Sequence, residues 1–316
     1  MTAQNRAAIW LAAGGTGGHI FPATSLADAL VKAGQPVVFI KDRRGKKLLD
    51  AAAETPAWPI EVIPSASPFA GGILRRITAC IKLAAGGVIL MIKRLQHRPC
   101  CVVGFGGYPS FMPAFTAHLS GIPLIMHEQN AVMGRSNRAL ARSASLVMTS
   151  WPDTTGLPQT TPHLHTGLPI RSGFDTISAY QPSPKKKLQL LILGGSQGAS
   201  LFGRMVVEAI TSLPQKMRDR LNICQQVRAE QLDEVQSRYA QAEISATIAP
   251  FFTDVPKLMA QSDIVLSRAG ASSVAEIATA GRAAILIPFA GALDNHQTAN
   301  AKQLAAHNAA CLRKSM

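Results

Sequence analysis

Short apolar runs alternate with helix-like stretches along most of the chain, and glycine-rich turns follow several of the runs. Such runs are typical of strands buried on both faces of a parallel sheet, with helices as the crossovers. The pattern therefore predicts an α/β fold with doubly wound sheets. Strands are predicted at 7–13, 37–40, 100–103, 123–126, 146–149, 188–193, 223–227, 264–266 and 284–287, and helices at 22–33 and from about 199.

The pattern is interrupted near the middle of the chain and then begins again. The stretch 151–184 contains six prolines and little periodicity, which is typical of a linker or hinge. The segment 11–18 (LAAGGTGG) resembles 191–198 (LILGGSQG). These features predict two Rossmann-like doubly wound domains that face each other across a cleft, residues 1–165 and 188–316, with a hinge at 166–187. One long sheet with a floppy insertion is the alternative.

Composition narrows the class of protein. Hydrophobic residues make up 47% of the 316 residues and charged residues 16%, so the chain can bury large cores and is not globally disordered. The longest uncharged apolar run, 83–92, is shorter than the ~18–20 residues of a membrane span. The five cysteines form no C-x-x-C pair, which argues against structural zinc or a disulfide framework and fits a reducing cytoplasm.

Positive charge is concentrated in the first half of the chain. The net charge is +14, and residues 1–150 hold 16 Lys or Arg against 6 Asp or Glu. We therefore expect an anionic partner there: a polyphosphate substrate, an anionic lipid or a nucleic acid. Aromatic residues do not interleave with the basic clusters, so nucleic acid is the weakest of the three.

Three glycine-rich turns follow predicted strands, at 14–18 (GGTGG), 104–107 (GFGG) and 194–198 (GGSQG). Glycine lets the backbone approach a phosphate closely, and the N-terminus of the next helix supplies N–H groups and partial positive charge. Neither the dinucleotide motif G-x-G-x-x-G nor a P-loop occurs. The turns therefore predict phosphate binding without a standard NAD or ATP site, with tight packing as the alternative.

His19 follows the first of these turns at a predicted helix entry. The positive end of a helix dipole favours a neutral imidazole, which a general base requires. His19 is therefore a candidate base, and a capping or packing histidine is the alternative.

The C-terminal third combines features that suit a nucleotide-sugar. Ser272 and Ser273 open a predicted helix, and Glu276 lies one turn further on, where it can accept hydrogen bonds from a ribose diol. The alternative is a capping box, since Ser273 and Glu276 have S-x-x-E spacing. Residues 294–300 open another helix with amide side chains, including Gln297 and Asn300, suited to sugar hydroxyls.

These residues resemble those of a known family, and the resemblance covers nearly the whole chain. The family, known as the MurG family, comprises bacterial transferases that move GlcNAc from UDP-GlcNAc onto undecaprenyl-diphospho-muramoyl-pentapeptide (lipid I), making lipid II for peptidoglycan. The matching segments are 14–22 (GGTGGHIFP), 104–110 (GFGGYPS), 127–130 (HEQN), 166–171 (TGLPIR), 194–199 (GGSQGA) and 268–276 (RAGASSVAE).

The resemblance implies the GT-B fold and a division of labour between its two domains. The acceptor diphosphate would be cradled by the turns at Thr16, Gly17 and Gly18 and at Gly106, Gly107 and Tyr108. The first of these turns would reach the donor as well. The donor UDP-GlcNAc would be held by Asn130, Arg171, Ser196, Phe252, Arg268, Ala271, Ser272, Ser273, Val274, Ala275, Glu276 and Gln297.

By the same resemblance the reaction is an inverting transfer in which the muramoyl 4-hydroxyl attacks the anomeric carbon and UDP leaves, with His19 as the base. No metal or cofactor is implied, and no D-x-D motif occurs. Two features depart from the family: Leu168 stands where an asparagine is usual, and the family continues by several tens of residues past the position of Met316. The resemblance therefore implies a chain truncated at its C-terminus.

Lipid I is a membrane lipid, so the enzyme must reach a membrane surface. Ile73, Leu74, Ile77 and Ile81 lie on one predicted helical face with cations beside it, which suits docking on anionic lipid. An amphipathic helix packed on the core is the alternative. The expected location is the cytoplasmic face of the inner membrane, as a peripheral protein, with cell-wall and division proteins as candidate partners.

Two other functions stay open on the sequence. A nucleotide-sugar 2-epimerase of similar two-domain build would bind UDP-GlcNAc without needing a lipid. A non-catalytic module that binds a UDP-sugar or a membrane surface is the second.

Overall fold

The chain forms two compact units, Met1–Arg171 and Ser172–Met316. The computed structural model describes residues 6–45, 56–67, 72–182, 187–195, 201–307 and 309–312. The division between the units falls inside the predicted hinge segment 166–187. The structure contains two separate sheets, so the alternative of one long sheet is wrong.

The N-terminal unit contains a seven-stranded parallel sheet in the order β3-β2-β1-β4-β5-β6-β7. Its strands are β1 Ile9–Ala12, β2 Val37–Lys41, β3 Ile60–Val62, β4 Cys101–Gly104, β5 Leu124–Glu128, β6 Leu146–Thr149 and β7 His163–His165. Its α-helices are α1 Gly17–Lys32, α2 Ile73–Gln96, α3 Tyr108–Leu119 and α4 Arg135–Leu140.

The C-terminal unit repeats this architecture with a six-stranded parallel sheet in the order β10-β9-β8-β11-β12-β13. Its strands are β8 Leu188–Leu193, β9 Leu221–Gln226, β10 Ser245–Ala249, β11 Ile264–Ser267, β12 Ala283–Leu286 and β13 Ala310–Leu312. Its α-helices are α5 Val207–Thr211, α6 Gln215–Arg218, α7 Leu232–Gln241, α8 Val255–Gln261, α9 Ala271–Ala280 and α10 His296–Ala306.

Both faces of the N-terminal sheet are covered, as the uninterrupted apolar strands predict. Trp10 and Ala12 of β1 belong to one buried cluster, whereas Leu11 and Ala13, the residue after the strand, belong to another. Successive strand side chains point to opposite faces, so the two clusters lie on the two sides of the sheet. The fold class is confirmed: two Rossmann-like parallel sheets in which the strand order reverses between β1 and β4 and between β8 and β11.

Two sequence predictions of local structure were wrong. Helix α1 begins at Gly17 rather than at Pro22, and Pro22 lies inside it. Proline is common at the first helical position, so a pattern that begins with Pro22 predicts a start there. The four strands that the apolar pattern missed, β3, β7, β10 and β13, are the four edge strands of the two sheets. One of them, β7, lies within the proline-rich stretch assigned to a linker and pairs with β6.

Candidate functional site

In the N-terminal unit, two glycine-rich turns lie side by side at the point where the strand order reverses. One turn follows β1 and the other follows β4, and these strands are neighbours. The turns pack so tightly that a Cβ on Gly107 would lie 2.4 Å from the carbonyl oxygen of Gly14. Gly107 has φ +77° and is the N-cap of α3. Since ligands of doubly wound sheets bind at this reversal, the turns have the position expected of a binding site.

His19 lies in the first turn of α1, directly after the first glycine-rich turn. Its Nδ1 is 2.9 Å from Oε1 of Gln129, and its backbone N–H donates to the carbonyl of Thr16. Thr16 is the N-cap of the helix, although its hydroxyl makes no capping bond. The ring is half-buried, and a Cβ on Gly106 would approach its Cε1 to 3.2 Å. The two glycine-rich turns therefore meet at His19.

Behind His19, a buried histidine holds the glutamine that touches it. Gln129 Nε2 donates to the carbonyl of His127 at 2.9 Å and lies 3.3 Å from Nδ1 of the same residue. The other ring nitrogen of His127 is 3.0 Å from the carbonyl oxygen of Gly167. The ring of Phe105 stacks on the imidazole at 5.3 Å. Burial lowers the pKa of His127 to about 4, so this imidazole is neutral near pH 7.

Glu128 organises the loop that follows β5. Its carboxylate is 1% exposed and accepts four hydrogen bonds of 2.8–3.1 Å. Two come from the backbone and side chain of Asn130, one from the backbone of Gly134 and one from the amide of Asn137. Asn130, which is predicted to contact the sugar donor UDP-GlcNAc, is therefore held in place by a buried carboxylate.

In the C-terminal unit, the corresponding reversal lies between β8 and β11, and helix α9 begins just after β11. Gly270 is the N-cap, and the N–H of Val274 is bonded to the Gly270 carbonyl. Ala271, Ser272 and Ser273 thus form the first helical turn, the part of a helix that attracts anions. Ser196, predicted to hold the diphosphate, lies outside the described residues.

The capping-box alternative is excluded by this helix start. Ser273 is the third residue of α9 rather than its N-cap, and the N-cap is Gly270, which has no side chain. Glu276 is instead buried in the second turn, near the same helix end. Val274 has its amide engaged and its side chain fully buried, so it packs α9 against the core, and Ala275 beside it is half-buried.

Arg268 lies at the end of β11, under the start of α9. Its guanidinium donates to the carbonyls of Ile287 and Pro288 and lies over the rings of Phe202 (5.0 Å) and Phe289 (5.6 Å). Burial lowers its pKa. The side chain therefore ties together the carboxyl ends of β11 and β12.

The amides of α10 have two different roles. Gln297 is half-buried, and its Oε1 accepts from the backbone N–H of Phe289. Asn300 is fully buried and donates to the carbonyl of Ala269 in the loop before α9. The sequence assigned Asn300 to sugar hydroxyls, but its burial makes it a support of that loop.

The remaining predicted residues lie at element ends. Phe252 is half-buried between β10 and α8. Arg171 is the last residue of the N-terminal unit, and its guanidinium lies 4.9 Å from the centre of the Phe21 ring. Sequence reasoning assigned no role to His127, Glu128 or Gln129, although all three belong to the HEQN segment that it quoted.

A cavity of about 850 Å³ in the C-terminal unit does not include any predicted site residue. It is lined by Tyr180, Lys187, Asp263 and Arg282 among others, and the last three directly precede strands. The cavity therefore lies at the amino edge of the sheet, opposite the reversal point. Within the described ranges, no cluster of His, Cys, Asp or Glu is arranged to hold a metal ion.

Comparison with known proteins connects both sites to one family. The chain matches the glycosyltransferase family 28 N-terminal domain over residues 9–149 and the family 28 C-terminal domain over 189–315. The UDP-N-acetylglucosamine--N-acetylmuramyl-(pentapeptide) pyrophosphoryl-undecaprenol N-acetylglucosamine transferase of Rhodospirillum centenum is 44% identical, covering 96% of this chain and 80% of the relative. The transferase of the same name from Granulibacter bethesdensis is 43% identical, covering 95% of this chain and 79% of the relative.

Solved structures agree with the sequence comparison. The crystal structure of Acinetobacter baumannii MurG superposes with a TM-score of 0.76 at 32% identity, covering 98% of this chain and 86% of that one. Phytolacca americana UGT2 has a TM-score of 0.67 at 14% identity, with 98% and 86% covered, and that likeness concerns the fold alone.

Proposed function

The chain belongs to glycosyltransferase family 28, and on this premise we propose that it transfers GlcNAc from UDP-GlcNAc to lipid I, giving lipid II and UDP. The names of its relatives and the two family domains support this reaction. The assignment of the two sites rests on one observation: each unit has a helix N-terminus at the reversal point of its sheet.

In the proposal, the C-terminal unit binds UDP-GlcNAc. The first turn of α9 receives the diphosphate, because helix N-termini attract anions. Glu276 accepts hydrogen bonds from the ribose hydroxyls, and Gln297 donates through Nε2 to the sugar. The backbone at Phe252 meets uracil. Ser196, Arg171, Arg268, Ala275 and Asn130 complete the proposed donor contacts.

The N-terminal unit binds the acceptor diphosphate at its paired glycine-rich turns. The start of α1 and the start of α3 both direct helix dipoles toward this point. Gly106, Gly107 and Tyr108 line the second turn. The +10 net charge of residues 1–150 favours an anionic ligand in this unit.

The proposed chemistry is a single inverting displacement. The acceptor hydroxyl gives its proton to His19 as its oxygen bonds to the anomeric carbon, and the bond to UDP breaks with its electron pair on the diphosphate. A positioned base is worth about 10²–10⁴-fold in rate. The amide dipoles of the α9 start stabilise the charge that develops on the leaving diphosphate.

We further propose that α2 docks on an anionic membrane surface. The helix carries five Lys or Arg and no acidic residue. It buries only a narrow stripe that includes Gly86, Gly87 and Leu90. Seven large apolar side chains on it are at least half exposed: Ile73, Leu74, Ile77, Ile81, Val88, Ile92 and Leu95. An apolar face flanked by cations suits the interface of an anionic bilayer.

This arrangement supports a peripheral location at the cytoplasmic face of the inner membrane. Among the described residues, the structure contains no helix with the length and apolarity required to cross a bilayer.

The deciding experiment is to incubate the protein with UDP-GlcNAc alone and then with a lipid I analogue. We expect UDP and a disaccharide-lipid only when the analogue is present. Formation of UDP-ManNAc without lipid would instead establish the epimerase, and binding without any product would establish a non-catalytic module.

A His19→Ala variant should lose about 10²-fold or more in kcat with its affinity for UDP-GlcNAc retained. Near-wild-type turnover would exclude His19 as the base.

A further inference from the structure

His19 is the first member of a chain of hydrogen bonds that runs away from the proposed acceptor site. The chain passes from His19 Nδ1 to Gln129 Oε1 (2.9 Å), from Gln129 Nε2 to His127, and from His127 Nε2 to the carbonyl oxygen of Gly167 (3.0 Å). His127 and Gln129 are each 1% exposed. The contacts between Gln129 and His127 are therefore fully buried, whereas the two ends of the chain, at His19 and Gly167, are part-buried.

The orientation of the Gln129 amide follows from its neighbours. One end of the amide lies 2.9 Å from the carbonyl oxygen of His127, and a carbonyl oxygen only accepts hydrogen bonds. That end must be the NH₂ group, because the opposite orientation would place two oxygens in contact inside the protein. The other end is therefore an oxygen, and His19 Nδ1 must donate a proton to it.

The second histidine makes this orientation self-consistent. His127 Nε2 faces the carbonyl of Gly167 and must donate to it. A neutral imidazole has one N–H, so its Nδ1 carries the lone pair. This lone pair faces Gln129 Nε2 at 3.3 Å. Each hydrogen bond of the chain then joins one donor to one acceptor.

From this geometry we infer that Gln129 and His127 are positioning residues that hold neutral His19 as the Nδ1–H tautomer. The inference rests on the proposed function, in which His19 is the base. In this tautomer the lone pair is on Nε2, so Nε2 takes the proton from the acceptor hydroxyl. Nδ1–H remains bonded to Gln129 before and after the transfer. Histidine in water favours the other tautomer, in which Nε2 is protonated and cannot act as a base.

The test reads the tautomer directly by ¹⁵N NMR of the full chain labelled with ¹⁵N-histidine, and the His19→Ala spectrum identifies the His19 signals. In the wild type at a pH where His19 is neutral, we expect a protonated Nδ1 and an unprotonated Nε2. Gln129→Leu and His127→Phe should both shift His19 toward the Nε2–H tautomer. Both should lower kcat by about 10- to 100-fold, as loss of an orienting partner does elsewhere, with KM for UDP-GlcNAc within about twofold.

Gln225→Leu is the matched control. Gln225 is fully buried in the C-terminal unit, and its amide is bonded at both ends, to the carbonyl of Phe202 and the hydroxyl of Tyr239. This variant should lose stability and leave the His19 tautomer unchanged.

A wild-type His19 protonated at Nε2 would overturn the inference. So would a Gln129→Leu variant with unchanged tautomer and kcat. Failure of the proposed function gives a different result, because the wild type would then form no disaccharide-lipid from UDP-GlcNAc and a lipid I analogue, whatever the tautomer of His19.

Discussion

Replacing Glu128 by glutamine tests how much of the N-terminal site depends on one buried carboxylate. Each carboxylate oxygen accepts two hydrogen bonds: Oε1 from the backbone and side chain of Asn130, and Oε2 from Gly134 and Asn137. Glutamine keeps the shape of the side chain but has only one oxygen that can accept hydrogen bonds. Whichever way its amide turns, two donors then face an NH₂ group: the two part-buried donors of Asn130, or the part-buried Gly134 N–H and the buried Asn137 amide.

The expected cost can be worked from these contacts. A buried donor left without its acceptor costs about 1–3 kcal/mol, so two donors cost about 2–6 kcal/mol. For a domain of about 150–250 residues, each 1 kcal/mol shifts Tm by about 2–4 °C. Even the lower figure therefore lowers Tm by about 4–8 °C. If the NH₂ group of the new amide faces Asn130, that residue loses its anchor, and the affinity for UDP-GlcNAc should fall as well.

Tryptophan fluorescence isolates the effect. The three tryptophans of the chain, Trp10, Trp58 and Trp151, all lie in the N-terminal unit, so thermal unfolding followed by fluorescence reports that unit. Glu61→Gln is the control. Its carboxylate pairs with Lys93 at 2.6 Å, but both side chains are about one-third exposed, and such pairs contribute about 1 kcal/mol or less. If Glu128→Gln lowers Tm no more than Glu61→Gln, the four contacts do not carry the stability assigned to them.

Three further outcomes are expected. His127 has a pKa of about 4 in the folded state and near 6.5 in the unfolded state. As the pH falls, the unfolded chain is therefore protonated at this residue before the folded chain is. The unfolding free energy should therefore fall by up to about 3 kcal/mol between about pH 6.5 and pH 4, and His127→Phe should remove that part of the slope in urea titrations. Gly107→Ala should lose more stability than Gly34→Ala, because both glycines have φ above +70° but only Gly107 meets backbone within 3 Å; equal losses in urea unfolding would show that the close packing contributes nothing. Ile77→Glu should weaken sedimentation with phosphatidylglycerol vesicles, whereas Met217→Glu, on an equally exposed side chain of the other unit, should not; equal sedimentation of both would contradict docking through α2.

The apolar pattern predicted the central strands and the fold class, and it missed all four edge strands. Central strands of a parallel sheet are covered on both faces, so their sequences read as continuous apolar runs. Edge strands such as β7, whose three residues are all exposed, have no such requirement. Their strand conformation comes from pairing with a neighbour that is distant in sequence.

Local sequence patterns are enough to predict the two Rossmann-like units, the glycine-rich turns and the place of His19 after the first of them, because each depends on residues close together in the chain. The surroundings of those residues depend on how distant parts of the chain come together in the fold. It brought Gln129 against His19 across 110 positions of sequence, gave Glu128 four donors, and replaced a capping box by a helix start at Gly270. Hydrogen bonds of this kind depend on distance and direction in space, and a one-dimensional pattern contains neither.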